Sequence, residues 1–525
     1  MLSYRKLAMR VLGRPLNTGG GNNSPRPASQ RAAALVLTAA MLTTLTAPAF
    51  AGTWYIEDGD ITISAGESGN NVTQNETTTK NDTDTIITNR EEGASSHTVT
   101  IDAKDKDDKV EVTLKDVNID ASSRSEAAVS VTGKGDTTIE LDGDNELQGG
   151  DRHAGLEHNQ TVDSEGNVTS GKLTIQDDND NAGSLTATGG YFGAGIGGGS
   201  AKAGQVTITG GTITAISGDG AGIGGGQGNM GSNAGNADIE ISGGTIEATG
   251  GYTSAGIGGG YYGDATIKIT GDAVIKNATG GTFGAGIGGG GGGNGDVTIS
   301  GNAKIENAQG GYAGSGIGGG YGASGTVAIK DDSTVTATGG EVGAGIGGGV
   351  GGLADITIEG NATVNATGGV GSAGIGGGYD AEDDDDGTGN KITIKSNESG
   401  AESSIDEESG EKIPGGAGIG SGAGDAKANI TLEGKVTIVA KAGEGNAAIG
   451  DMNGEQVFTG LDGSITRYDS EGNDTTLPTD PGYPVPADTS SSGGGSAGAS
   501  VQESVFPGLI VTDKDGQRIS YTSIR

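Results

Sequence analysis

Gly284-Ala285-Gly286-Ile287-Gly288-Gly289-Gly290 is the stretch on which the fold turns, because the chain repeats it. The pattern Gly-[Ala/Ser]-Gly-Ile-Gly-Gly-Gly also occupies 193–199 and 343–349, with close variants between them. Its central isoleucines are Ile196, Ile223, Ile257, Ile287, Ile317, Ile346 and Ile375, spaced by 27, 34, 30, 30, 29 and 29 residues. Weaker copies follow at Ile419 and Ile449, and degenerate ones precede at Val129 and Leu156. A near-constant period of this length marks a repeat architecture in which each unit stacks on the one before.

Working outward, each unit holds three short alternating segments, such as Val297-Thr298-Ile299, Ala303 to Asn307, and Ser315-Gly316-Ile317. Period-two alternation marks half-buried strands, and the Gly, Asn and Asp clusters between them mark corners. The expected fold is all-β, a parallel β-helix with three short strands per coil and about 30 residues per coil. A lone coil carries about four large aliphatic side chains, too few to offset the entropy of ordering its backbone, so coils must cover one another. A β-sandwich would not keep so regular a period.

Alternation also assigns faces. If Ile317 points inward, then Gly316 and Gly318 point outward, and one face of the column carries almost no side chains. Such glycines serve either tight corners and close coil packing or a flat strip that a partner approaches closely. In the second segment the residue two after the aliphatic is Ala215, Ala248, Asn277, Asn307, Ala337 and Ala366, which places Asn277 and Asn307 inside as an amide ladder.

Composition agrees with a narrow core. The 525 residues include 110 Gly but only 3% aromatics, too little bulk for a wide interior. At the N-terminus six basic residues precede an apolar run, Ala32 to Leu45, and Ala49-Phe50-Ala51 supplies small residues for cleavage. Residues 1–51 are therefore expected to be a signal peptide, cleaved near Ala51, which sends the chain outside the cell or to its surface. Cleavage leaves 68 acidic against 25 basic side chains, a net charge of −43. That charge repels nucleic acid and anionic lipid and attracts divalent cations. No membrane insertion is expected after cleavage. The cysteine count is zero, so coil stacking or bound ions, not disulfides, must stabilise the exported chain.

The remaining divisions are an N-terminal cap with irregular coils over 52–190, regular repeats over 191–450, a fading repeat and Pro/Ser/Gly linker over 451–500, and a tail over 501–525. Trp54-Tyr55-Ile56 and Ile61-Thr62-Ile63 are expected to cap the first strand edges, and 478–500 reads as linker.

Candidate functional residues fall in two groups. Tyr191, Tyr252 and Tyr312 precede a signature isoleucine, and Tyr261, Tyr321 and Tyr379 follow one; Tyr262, Phe192 and Phe283 lie equally close. Stacking would align them at both margins of the glycine strip, where they either bind the faces of sugar rings or shield strand ends from water. The acidic loops containing Asp177, Asp178 and Asp180, and Asp383, Asp384 and Asp385, offer oxygens for Ca²⁺, although neither has EF-hand spacing or matches the calcium-binding nonapeptide of toxin-type β-rolls. Catalysis finds little support. His97, His153 and His158 precede the repeats, no nucleophile or metal partner follows from their spacing, and 191–450 contains no Arg. The outward row Thr207, Glu240, Lys268, Thr298, Ala328, Thr357 is too irregular for an ice-binding lattice.

On its leader, the acidic strand set near 98–190 and the run ending in Gly-Ala-Gly-Ile-Gly-Gly-Gly, the chain resembles the carbohydrate-binding-domain-containing surface proteins of clostridia-like bacteria over roughly residues 95–450. The resemblance implies a right-handed β-helix that binds acidic polysaccharide with calcium. It implies calcium sites in kind, not in position. The function expected is that of an exported, non-catalytic polysaccharide-binding protein, possible cofactor Ca²⁺. The alternatives are an adhesin or structural surface protein that binds other proteins, and a polysaccharide lyase-like enzyme.

Overall fold

The computed structural model describes residues 51–483, apart from 180, 229–234, 384–388, 397–402, 411–415, 425, 435, 444–445, 451–455 and 460–462. The expected signal peptide up to residue 50, the linker beyond 483 and the tail lie outside the described residues.

The chain winds as a right-handed parallel β-helix of about 12 turns, about 30 residues each. One coil shows the construction. Ile287–Gly288 forms a two-residue strand, Gly295–Ile299 a second and Lys304–Gln309 a third. Each pairs in parallel with its equivalents in the coils on either side: Ile287 with Ile257 and Ile317, Ile299 with Ile269 and Ile329, Ile305 with Ile275 and Val335. β-Branched side chains suit such strands because a pleated, half-buried surface accepts their stiff rotamers. Ile287, Val297, Ile299 and Ile305 are fully buried, each contributing roughly 1.5–3 kcal/mol. Ala303 and Ala308 fill the remaining width. The core is one continuous column, a few side chains across.

The short Ile-Gly strands make one face, and the two longer strands of each coil make the others. Near the N-terminus the two longer faces are continuous through one strand, Asp136–Gln148. Its first half pairs with Lys109–Lys115 and its second with Asn118–Asp120. Later coils break here into a turn whose residue has positive φ, as at Gly271 (63°), Gly301 (72°) and Asp331 (60°).

Both ends depart from expectation. Thr53–Tyr55 and Ile61–Ala65 do not cap the column; they belong to its first coil, pairing in parallel with Thr85–Thr88 and Val99–Ala103. Ile61 and Ile63 are core residues. The cover is supplied by Asn70–Gln74 and Thr77–Asp82, which add antiparallel strands beside Ile61–Ala65. Buried Asp82 ties the start down, accepting from the Gly52 N–H (2.9 Å) and the Trp54 indole Nε1–H (2.8 Å). At the other end Ser464–Tyr468 pairs with Val436–Lys441. Arg467 then grips Asp480 through Nε–Oδ2 (2.7 Å) and Nη2–Oδ1 (2.9 Å), with both side chains buried. Residues 478–483 are therefore packed on the final coil, not linker. A buried bidentate pair holds them there.

The expected internal amide ladder is relocated. Asn307 Nδ2 does donate to Asn277 Oδ1 at 2.8 Å. However, Ala278 and Ala308, not the asparagines, occupy the inward positions opposite Ala248 and Ala337. One extra residue per strand makes a bulge that carries the two amides to the half-exposed side.

Candidate functional site

The glycine face is not a bare strip. Residues 284–291 are all buried. A strand of only two residues leaves its flanking corners close together, and they bond across it. Within a coil the Ala285 N–H donates to Gly289 O (3.0 Å); between coils the Gly291 N–H donates to Thr253 O and the Tyr321 N–H to Phe283 O (both 2.8 Å). Glycine is demanded here by packing. Gly288 has φ of +142°, and a Cβ on it would lie 1.9 Å from the Gly318 carbonyl oxygen. The close-packing explanation therefore holds, and these signature glycines do not form an approachable backbone face.

The same closure merges the two tyrosine margins. Phe283, from the corner before the short strand, meets Tyr252 of the preceding coil edge-on (centroids 5.5 Å, 84°). It also meets Tyr321, from the corner after the strand, at 5.5 Å and 63°. Between Tyr261 and Tyr262 on one side and Tyr321 on the other lies a groove of about 520 Å³, floored by Gly291-Gly292 and bounded by Phe283. The glycine pair makes the space. A Cβ on Gly292 would lie 2.5 Å from the Tyr262 ring, and one on Gly291 2.8 Å from Phe283 Cβ.

Tyr262 holds its ring at a backbone cost. The equivalent corner residue adopts left-handed φ in Gly292 (81°), Gly322 (72°) and Gly351 (73°), and Tyr262 does so at 55°. A side chain in that region costs about 1–2 kcal/mol. Tyr261 packs on it with centroids 4.1 Å apart, and its hydroxyl donates to the Tyr262 hydroxyl at 3.1 Å. That hydrogen bond, aided by partial burial, raises the Tyr261 pKa above the ordinary phenol value.

None of the described residues lining the groove is charged. The arrangement can hold a flat ring by its apolar face while phenol hydroxyls meet its polar edge. Of the six candidate tyrosines, Tyr261 and Tyr321 line it and Tyr252 extends it through Phe283. Tyr312 stands exposed on the corner equivalent to Tyr252, two coils on. Tyr191 instead pairs with Phe192 (4.6 Å, 82°), over which Arg152 lies. Tyr379 is half-buried against Gly371. Tyr262, Phe283 and the Gly291-Gly292 floor complete the site. Their signal in the sequence is positional: Tyr261-Tyr262, Gly291-Gly292 and Tyr321-Gly322 share one offset from successive signature isoleucines.

The acidic loops are built into the coil. Asp177 Oδ2 accepts from the Gly183 N–H at 3.1 Å. Glu140, itself buried, accepts from the N–H of Asp178 (3.0 Å) and Nδ2 of Asn179 (2.7 Å), so the loop folds onto it. Hydrogen bonding to Glu140 and repulsion from it raise the pKa of Asp178. Asp383 accepts from Lys427 through both its N–H and Nζ (each 2.8 Å), which lowers its pKa. Asp180, Asp384 and Asp385 lie outside the described residues. Among the described residues no three His, Cys, Asp or Glu converge to hold a metal. The histidines sit in separate contacts: His97 with Asp60, His153 with Glu157, and His158 between the Val131 and Gly171 carbonyls.

A family described as beta helix repeat matches residues 181–200, 206–227, 239–261, 327–350 and 356–379. The match supports a parallel β-helix protein, and the intervening 262–326 carries most of the groove. Neither the curated proteins nor the solved structures yield a match.

Proposed function

We propose that this chain is a non-catalytic carbohydrate-binding protein of the cell exterior and that its ligand seats in the Tyr261–Tyr321 groove. The observation that carries the proposal is an uncharged aromatic groove on a chain with net charge −37. Rings cluster there although aromatics are scarce. Tyr252 and Tyr321 are 60% and 50% exposed, an arrangement that costs solvation unless a ligand covers them. Pyranose faces suit such rings, which pair a flat apolar surface with a hydroxyl. The basic, apolar leader supports export. The net acidity and the sequence resemblance are what support an assisting role for calcium; Asp177 and Asp383 themselves are engaged within the coil.

The test is a glycan array probed with the exported chain, with and without EDTA. Retention of a glycan by the native chain, and its loss in Tyr261→Ala/Tyr321→Ala, is the expected result. No glycan retained in either condition overturns the proposal and favours the adhesin. Retention unaffected by EDTA removes calcium alone.

A further inference from the structure

We infer that the groove is shaped for an uncharged, extended β-1,4-linked pyranose chain lying parallel to the axis of the coils. This rests on the glycan-binding reading and adds linkage, charge and direction to it.

Spacing is the first ground. Tyr261 and Tyr321 occupy the same corner position sixty residues apart, and the register Ile257 to Ile287 to Ile317 places them two coils apart. Two strand spacings amount to about 9–10 Å. In an extended β-1,4-linked chain of glucose, mannose or N-acetylglucosamine, each ring is turned over relative to its neighbour, so every second ring presents the same face. That two-ring repeat matches the two-coil interval. One ring rests on Tyr261, the next passes over Gly291-Gly292 and the third rests on Tyr321. At this corner position the middle coil carries glycine where both neighbours carry tyrosine, which keeps the floor between them low, with the Phe283 and Tyr262 rings beside it.

The adjoining corner repeats the interval. Tyr252 and Tyr312 are also sixty residues apart and 60% and 52% exposed, with Phe283 between them. Two corners with the same two-coil period fix the direction along the column. An α-1,4 or β-1,3 chain curves and loses this register within a few rings.

Charge is the second ground. No described lining residue is cationic, and the acidic surface repels a polyuronate. The groove thus favours a neutral polymer over the acidic one that the sequence resemblance implies.

The test is calorimetric titration of the full chain with cello-, manno- and chitohexaose, against maltohexaose, laminarihexaose and hexagalacturonate. At least one β-1,4 neutral hexaose is expected to bind about tenfold or more tightly than the last three. Affinity should rise sharply from disaccharide to trisaccharide, the first length that spans both rings. In Tyr321→Ala that step should vanish while disaccharide binding persists, an effect that a general loss of structure would not give. Equal or tighter binding of maltohexaose, laminarihexaose or hexagalacturonate overturns this inference and leaves the glycan reading standing. A length step unchanged in Tyr321→Ala also overturns it. Binding of no carbohydrate overturns both.

Discussion

At the scale of single residues, two glycines of one corner system carry different burdens. Gly288 faces the Gly318 carbonyl at 1.9 Å from a would-be Cβ, whereas Gly322 has φ of +72° with nothing within 4 Å. Gly288→Ala should therefore cost about 4 kcal/mol or more, and Gly322→Ala only about 1 kcal/mol of left-handed strain, read as shifts of the urea midpoint. Tyr262 offers the opposite trade. Tyr262→Gly should release strain, raising stability by up to about 1 kcal/mol, while removing a groove wall and weakening glycan binding. A variant that gained stability with unchanged affinity would show the ring to be dispensable. The isoleucine ladder was legible because each strand writes its inward residue every second position. Asn277 was misplaced because Ile275 and Ala278 are three apart where Ile246 and Ala248 are two. Alignment of the alanines, not alternation, would have exposed the bulge.

At the scale of elements, the corners decide most of what alternation could not. Side-chain pattern locates a corner but does not say whether it turns outward or folds across the strand it follows. That depends on backbone bonds such as Tyr321 N–H to Phe283 O, in which no side chain takes part. Hence the aromatic rows were legible as rows and not as one groove. A different corner, Asp151 to Gly155, is set by His153, whose Nδ1 lies 2.8 Å from Glu157 Oε2. The hydrogen bond to that carboxylate raises the His153 pKa above 6.5, against opposing burial. Its contribution is therefore fully present below about pH 6.5 and is lost as pH rises through the higher folded value. Exchange protection of the Ala154 amide, which donates to Glu157 Oε2, should fall over that rise after correction for intrinsic rates. It should lose the dependence in His153→Gln. At the C-terminal cap, Asp480→Ala strands a buried guanidinium. The local cost should be about 3–5 kcal/mol, seen as proteolysis of 436–483 with the early coils still protected.

For the whole molecule, stability is close to a sum over neighbouring coils. Deleting residues 278–307, one full period, should leave a shorter protein with β-sheet circular dichroism and a denaturant slope reduced in proportion to the surface lost. The same deletion removes Phe283 and Gly291-Gly292 and brings Tyr261 and Tyr321 onto adjacent coils, so glycan binding should disappear from a folded chain. An unfolded product would show coupling beyond nearest neighbours. The two end covers have a consequence of another kind. A protease needs a stretch of loose, extended chain, and an interior coil yields one only by parting from neighbours on both sides, a terminal coil from one. Digestion would therefore advance from the tips, and the clasps at Trp54–Asp82 and Arg467–Asp480 act as the timers that set how long the column lasts among hostile enzymes.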